Sequence, residues 1–226
     1  MSEDSLFREI DEEVRRDQAL RLWRQYGNYV VAVALAVIVA VAGVKGWQYW
    51  QTYRAETAGA AYHQGLAHLE QDRTQEAQAI FAELAGGGQK GYSTLARLQL
   101  AGLLADQGQT AEAVDAYDAV AEDGSAAPEF RDLARVRAGY LLAGTESPEN
   151  LEQRLAALNR PDSPWRNSVR EILASAHYRN GNFQDADRLM NEVLADPEAP
   201  QAMRQRAEMM VQLLEPMLAG KAAAVN

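Results

Sequence analysis

GQTAEAVDAY, residues Gly108 to Tyr117, sets a turn former, an alanine five positions later (Ala113) and a large ring four beyond that (Tyr117). Two other segments align with it: DRTQEAQAIF from Asp72, with Ala77 and Phe81, and GNFQDADRLM from Gly181, with Ala186 and Met190. Gly144 falls midway between Gly108 and Gly181, so turn positions 72, 108, 144 and 181 are spaced by 36, 36 and 37 residues. Four units at so even a period specify an array of α-hairpins. Gly or Asp lets the chain reverse after a first helix. The alanine lets the second helix come close, and the large residue one turn on fills the space between hairpins. Each hairpin has an apolar face it cannot bury alone, so neighbours stack into a solenoid.

The pattern resembles the tetratricopeptide repeat, with its Gly turn, Ala, Phe or Tyr, and often a closing Pro. Pro128 and Pro197 come near the expected repeat ends, whereas the consensus Trp is missing and the large first-helix residue appears only as Tyr140. The third unit departs furthest: Pro148 restarts its second helix, and Leu151, Leu155 and Leu158 carry the apolar stripe. From about 199 to 218, Met203, Ala207, Met210, Leu214 and Met217 share one face, as expected of a capping helix that closes the open end of the array. Such a Met stripe can also serve as an adaptable partner surface, although core packing is its commoner use.

Toward the N-terminus the character changes. Residues 25–44 carry no charge, and VVAVALAVIVAVAGV (Val30–Val44) is apolar apart from its glycine. Twenty helical residues span roughly 30 Å, the thickness of a bilayer's hydrocarbon core. Trp23, Tyr26 and Tyr29 precede the run and Trp47, Tyr49, Trp50 and Tyr53 follow it, a double aromatic belt at the headgroup level. Ala40-Val41-Ala42 has the form of a signal-peptidase site, but the long acidic leader does not suit a cleaved signal, so an uncleaved anchor is expected. Arg15, Arg16, Arg21 and Arg24 outnumber Lys45 and Arg54, which places the N-terminus in the cytoplasm. The bulk of the chain then lies outside it, in the periplasm of a Gram-negative cell. Residues 1–24 read as a short amphipathic arm with Leu6, Phe7, Ile10 and Val14 at helical spacing, either a solvated lead-in or a docking arm. The expected organisation is a cytoplasmic arm (1–24), a transmembrane signal-anchor helix (25–46), a helical repeat domain (47–220) and a tail (221–226). The fold class is all-α.

Composition agrees. The chain of 226 residues is 47% hydrophobic and 24% charged, which excludes disorder, and it has no cysteine for a disulfide, thiolate or lipid attachment. A net charge of −10 argues against a general nucleic-acid binder. His63 and His68, five apart on a helix, point about 140° apart and form no metal pair. His177 sits at a packing position ahead of a turn. Gly86-Gly87-Gly88 lacks the Lys-Ser/Thr of a phosphate loop and reads as a hairpin linker. No nucleophile, base and orienter come together, so no enzyme, cofactor or metal is expected.

The junctions sharpen the reading: Leu22-Trp23-Arg24-Gln25-Tyr26-Gly27 enters the membrane, Gly46-Trp47-Gln48-Tyr49-Trp50 leaves it, and Ala58-Gly-Ala-Ala61-Tyr62 begins the first repeat helix. This layout resembles the YfgM family, ancillary subunits of the SecYEG translocon. The resemblance implies a single-pass inner-membrane protein, its repeats in the periplasm, with SecYEG and the membrane-anchored periplasmic chaperone PpiD as partners and a role in handing translocated proteins to chaperones. It brings no catalytic residues. By tetratricopeptide register, Glu171, Ser175, Tyr178 and Arg179 face a groove suited to an extended or helical peptide. Glu–Arg pairing within the array is the competing use of the same residues. The alternative function is a scaffold for envelope, cell-division or cytochrome-maturation complexes. A third reading puts the repeats in the cytosol, as a receptor for precursors.

Overall fold

The structure is a computed structural model and describes residues 3–224, all helices and connections; no strand occurs among them. The helices are α1 (Glu3–Glu70), α2 (Thr74–Ala85), α3 (Lys90–Asp106), α4 (Thr110–Ala121), α5 (Pro128–Leu142), α6 (Pro148–Leu155), α7 (Arg166–Arg179), α8 (Phe183–Ala195) and α9 (Gln201–Ala224). The chain divides into two units, Met1–Glu56 and Thr57–Asn226.

α1 runs without a break through the expected arm, the expected membrane span and the first helix of the repeats. No proline precedes Pro128, and isolated glycines inside a strong helical pattern do not end it. The side chains of Leu6, Phe7, Ile10 and Val14 lie outside the described residues, as do residues 225 and 226 of the expected tail. Residues 221–224 continue α9.

In the first unit, α1 is long and apolar enough to cross a membrane. Its apolar run is bare of protein contacts: Leu35, Ile38 and Val39 are exposed, the last at 70%. In water that much contiguous apolar surface would drive aggregation, whereas a bilayer removes the penalty.

In the second unit the end of α1 meets α2 through Gly65, Tyr62 and Phe81, α3 pairs with α4, α5 with α6 and α7 with α8, and α9 packs on α8. Three of the four turns share one geometry. Arg73 N–H donates to His68 O, Gln109 N–H to Leu104 O and Asn182 N–H to His177 O, each at 2.9 Å, and the residue before each donor is left-handed: Asp72 at φ 58°, Gly108 at 77° and Gly181 at 76°. These are Schellman-type stops, which recover otherwise orphaned carbonyls. Gly144 keeps the period but does not enter the left-handed region. There the reversal is longer: Leu142 O accepts from Thr145 and Glu146, and Ser147 caps α6 by accepting from Asn150 N–H, with Pro148 in its first turn.

Packing follows the repeat. Ala77, Ala113 and Ala186 are fully buried, and Phe81, Tyr117 and Met190 nearly or fully so. In the third hairpin Leu151 and Leu155 take the corresponding places. Sixteen residues before Phe81, Tyr117, Leu155 and Met190 stands a small residue on the first helix: Gly65, Ala101, Gly139 and Ala174. A Cβ on Gly65 would lie 2.6 Å from the Phe81 ring, and one on Gly139 would lie 3.2 Å from a Leu155 methyl and 3.1 Å from Ile172. The first and third first helices therefore carry a notch into which the second helix inserts its large side chain, and Ala101 and Ala174 are buried in the same clusters as Tyr117 and Met190. On α9, Ala207 and Leu214 are buried, and Met203 and Met210 pack against the largest apolar cluster, so most of the predicted Met stripe is core.

An ionic junction fixes the α8–α9 connection to the start of α7. Arg166 holds Asp196 with two bonds, of 2.6 and 2.9 Å, and Asn167 Nδ2 and Glu198 N–H each donate to the same carboxylate at 2.9 Å. The Arg166 guanidinium, backed by these donors, keeps the Asp196 carboxyl well below the usual carboxylate range against the opposing effect of desolvation.

Three outcomes follow for the full chain unfolded in detergent and monitored by circular dichroism. Gly65→Ala destabilises by about 1–2 kcal/mol, because overpacking outweighs the gain in helix propensity, and its combination with Phe81→Leu costs less than the sum of the two singles. Asp72→Gly stabilises by about 0.5–1 kcal/mol, whereas Gly108→Ala costs about 1 kcal/mol. Asp196 binds its proton less tightly folded than unfolded, so its contribution is complete above the unfolded value of about 4 and is lost as pH falls through and below that value. Asp196→Asn is therefore less stable at pH 7 and declines less between pH 5 and 3.

Candidate interaction surface

The first helices α1, α3, α5, α7 and α9 supply the side chains on which a binding surface would be built. At the C-terminal end of the array this surface is internally paired. Arg206 on α9 grips Glu171 on α7 through bonds of 2.5 and 2.9 Å, and Tyr140 on α5 donates to the same carboxylate at 2.8 Å. Glu171 retains only 13% side-chain exposure. Burial, with the bond to Glu171, pushes the Tyr140 hydroxyl up to about 12, and the Arg206 guanidinium is raised by its bond to the same group.

The other predicted groove residues are also engaged. Ser175 Oγ donates to Glu171 O one turn back at 2.9 Å, and the Tyr178 ring packs 5.8 Å from Phe183. Arg179 turns away from Glu171: it donates to Ala143 O at 3.2 Å and to Glu146 O, tying α7 to the irregular turn around Gly144. The structure thus brings Glu171 together with Arg206 and Tyr140 and assigns Arg179 to a different task.

Nearer the start of the array the same face is open. A cavity of about 440 Å³ lies among α1, α3, α4 and α5, lined by Tyr62, Gln99, Gly102, Tyr117, Arg137 and Tyr140 together with leucines. Gln99 Nε2 donates to the Tyr62 hydroxyl at 2.9 Å, and the Tyr62 ring is held by Phe81 and Tyr92. A Cβ on Gly102 would meet the Tyr117 hydroxyl at 3.4 Å, so the missing side chain leaves that hydroxyl open to the cavity. The periodicity of the sequence marks Tyr117 as a packing residue and does not single out Gln99, Gly102 or Arg137. The one available sign was a glycine in the middle of a strong Ala/Leu helix.

The residues expected at the membrane interface all lie on α1 and are exposed: Trp23, Tyr26, Trp47, Tyr49 and Trp50. The Trp23 indole lies over Gly27, whose Cβ position would be 3.3 Å from the ring. The Trp47 and Trp50 rings are 5.2 Å apart, and the Arg54 guanidinium sits 4.6 Å above Trp50. Tyr26 and Trp47, 21 residues apart, are separated by roughly 32 Å along an α-helix.

The histidines do not converge. His63 lies beside Tyr62, and His177 is 7% exposed with its Nε2 3.7 Å from Glu152. Among the described residues no group of His, Asp and Glu is placed to hold a metal ion. Gly86 and Gly87 form the link from α2 to α3, with Gly87 N–H donating to Leu84 O at 3.0 Å. What this surface offers chemically is hydrogen bonding, charge and apolar contact.

Comparison with known proteins adds to this geometry. A Haemophilus influenzae protein described as the ancillary SecYEG translocon subunit is 29% identical over 92 residues, which cover 39% of this chain and 44% of that protein. No solved structure matches the chain. The tetratricopeptide repeat-like domain family matches residues 21–214, a stretch that takes in all four hairpins and the greater part of α9. The chain belongs to the tetratricopeptide repeat-like domain family.

Proposed function

We propose that this protein is a membrane-tethered protein-interaction module that serves as an ancillary subunit of the Sec translocon, with its N-terminus in the cytoplasm and its repeats in the periplasm of the inner membrane. The observation that carries the reading is the joining, on one helix, of a bare apolar stretch flanked by aromatic residues to a family-matched hairpin array. The description of the Haemophilus influenzae relative supports the channel as partner. In this reading the repeats do no chemistry. They bind proteins, among them the channel and a PpiD-like chaperone, and pass emerging chains onward. Tethering raises the effective concentration of the domain at the channel exit, so modest contacts suffice. The groove positions Glu171, Ser175, Tyr178 and Arg179 then act by shaping the array beside the binding surface.

The natural chain has no cysteine, so single introduced cysteines report cleanly on topology. Met209→Cys is expected to react with a membrane-impermeant maleimide in spheroplasts, and Ser5→Cys only after lysis; the reverse pattern overturns the orientation. Photo-crosslinkers at Trp47 and Met209 are expected to give adducts with the channel or a periplasmic chaperone. Adducts solely with division or cytochrome-maturation proteins would replace the translocon reading with that of an envelope scaffold.

A further inference from the structure

We propose that α1 carries a binding site for the phosphate of an anionic phospholipid at the exit end of its apolar run, built from the Arg54 guanidinium laid on Trp50 and backed by Trp47. The proposal rests on the membrane-anchor reading and names the lipid chemistry that the anchor takes.

Charge along the helix gives the first observation. Residues 18–55 contain no Asp or Glu, although the chain as a whole carries −10; their charges are Arg21, Arg24, Lys45 and Arg54, all positive. A stretch so free of acids suits an anionic surface, and the headgroup layers at its two ends supply one. Arg54 has no carboxylate on its own helix to neutralise it. The positions one turn away hold Trp50, Gln51, Thr57 and Ala58, and Glu56, two residues on, points to another side of the helix.

Depth gives the second. Val37 is the middle of the apolar run, and Trp50 stands 13 residues beyond it, roughly 20 Å along the helix. A bilayer's hydrocarbon ends roughly 15 Å from its midplane and its headgroup layer roughly 20–22 Å from it, so Trp50 stands at the level of the phosphates. The Arg54 backbone is one turn further out, by roughly 6 Å. Side chains on a helix lean toward its N-terminus, and the guanidinium follows that lean until it lies 4.6 Å from the Trp50 ring centre. The stack thus draws the cation back to phosphate depth. Trp47, whose ring is 5.2 Å from that of Trp50, supports the platform from the bilayer side. At the entry end, by contrast, the Trp23 indole lies over Gly27.

The ligand follows from these two observations. A guanidinium stacked through its face keeps the N–H groups of its edge free to donate as a fork to two phosphate oxygens. Both indoles are exposed and offer apolar area to the first acyl carbons. A zwitterionic headgroup presents the same phosphodiester with its own cation beside it, so a headgroup of net negative charge is the preferred ligand.

The test places the full chain in phosphatidylcholine nanodiscs doped with phosphatidylglycerol and reads the lipids it retains by native mass spectrometry. Phosphatidylglycerol is expected to be held about fivefold more tightly than phosphatidylcholine, the size of one interfacial cation's attraction. Arg54→Gln brings the two lipids to parity. Trp50→Leu, which alters no charge, at least halves the preference, whereas Arg24→Gln at the other end leaves most of it. Added inorganic phosphate does not displace the lipid; displacement would make soluble phosphate the ligand and overturn the proposal. Equal retention of the two lipids, or a preference that survives either Arg54→Gln or Trp50→Leu, also overturns it, since general attraction to a cation ignores Trp50. If Arg54→Gln lowers co-purification of the channel while lipid preference persists, the guanidinium serves a protein carboxylate and the lipid site falls. Carbonate extraction of membranes carrying the natural chain is measured alongside. Release of the chain overturns the anchor reading and the lipid site with it, whereas retention without lipid preference ends the lipid site alone.

Discussion

The repeat unit depends on a notch: a first-helix residue with little or no side chain, into which the second helix drives a large one. At Gly65 the Phe81 ring already occupies the space a Cβ would need, and at Gly139 the methyls of Leu155 and Ile172 press in together. Close approach of this kind maximises dispersion contact and leaves no space for water. It also fixes the separation of the two helices, and so the angle at which the next hairpin can be added. The curvature of the array and the spacing of its first helices follow from these local fits, as nearest-neighbour packing requires.

Once the first helices are spaced, electrostatics divides their common face. Toward the C-terminus, Tyr140, Glu171 and Arg206 link three successive first helices by pairing on one carboxylate. Toward the N-terminus, Tyr62 and Gln99 link two, and the chain of contacts stops short of Arg137 and Tyr117. The face is thus braced at one end and open at the other.

Much of this was legible in the sequence, for identifiable reasons. The turn residues could be read because left-handed backbone selects Gly and Asp, and three of the four marked positions use it; Gly144 shares only the spacing, because Ser147 and Pro148 build a different reversal. The notch was not legible: in a chain this rich in alanine, one more small residue sixteen positions upstream of the large one carries no contrast. Divisions at residues 24 and 46 follow changes in composition, but the backbone answers to helix breakers, and none stands between Glu3 and Glu70. Register puts Glu171 among the first-helix side chains but cannot show that Arg206, 35 residues later, neutralises it. Tyr117 is the reverse case: its ring is core by spacing, while the freedom of its hydroxyl depends on a glycine on another helix.

The irregular third reversal also bears on how the array comes apart. α6 has eight residues, against twelve or thirteen in the other second helices, and the turn before it, closed locally on Leu142 O, is also stapled from outside by Arg179. In a linear array cooperativity passes only through adjacent interfaces, so the thinnest one sets where opening begins. The apolar core falls into three clusters that each straddle neighbouring hairpins: one joins the end of α1, α2 and α3, a second joins α3, α4 and α5, and a third runs from Val136 to Leu214. The third cluster bridges this turn, with Val136 and Ala143 before it and Leu151 and Leu155 after it, so opening at the short α6 has to breach the core that also holds the C-terminal cap.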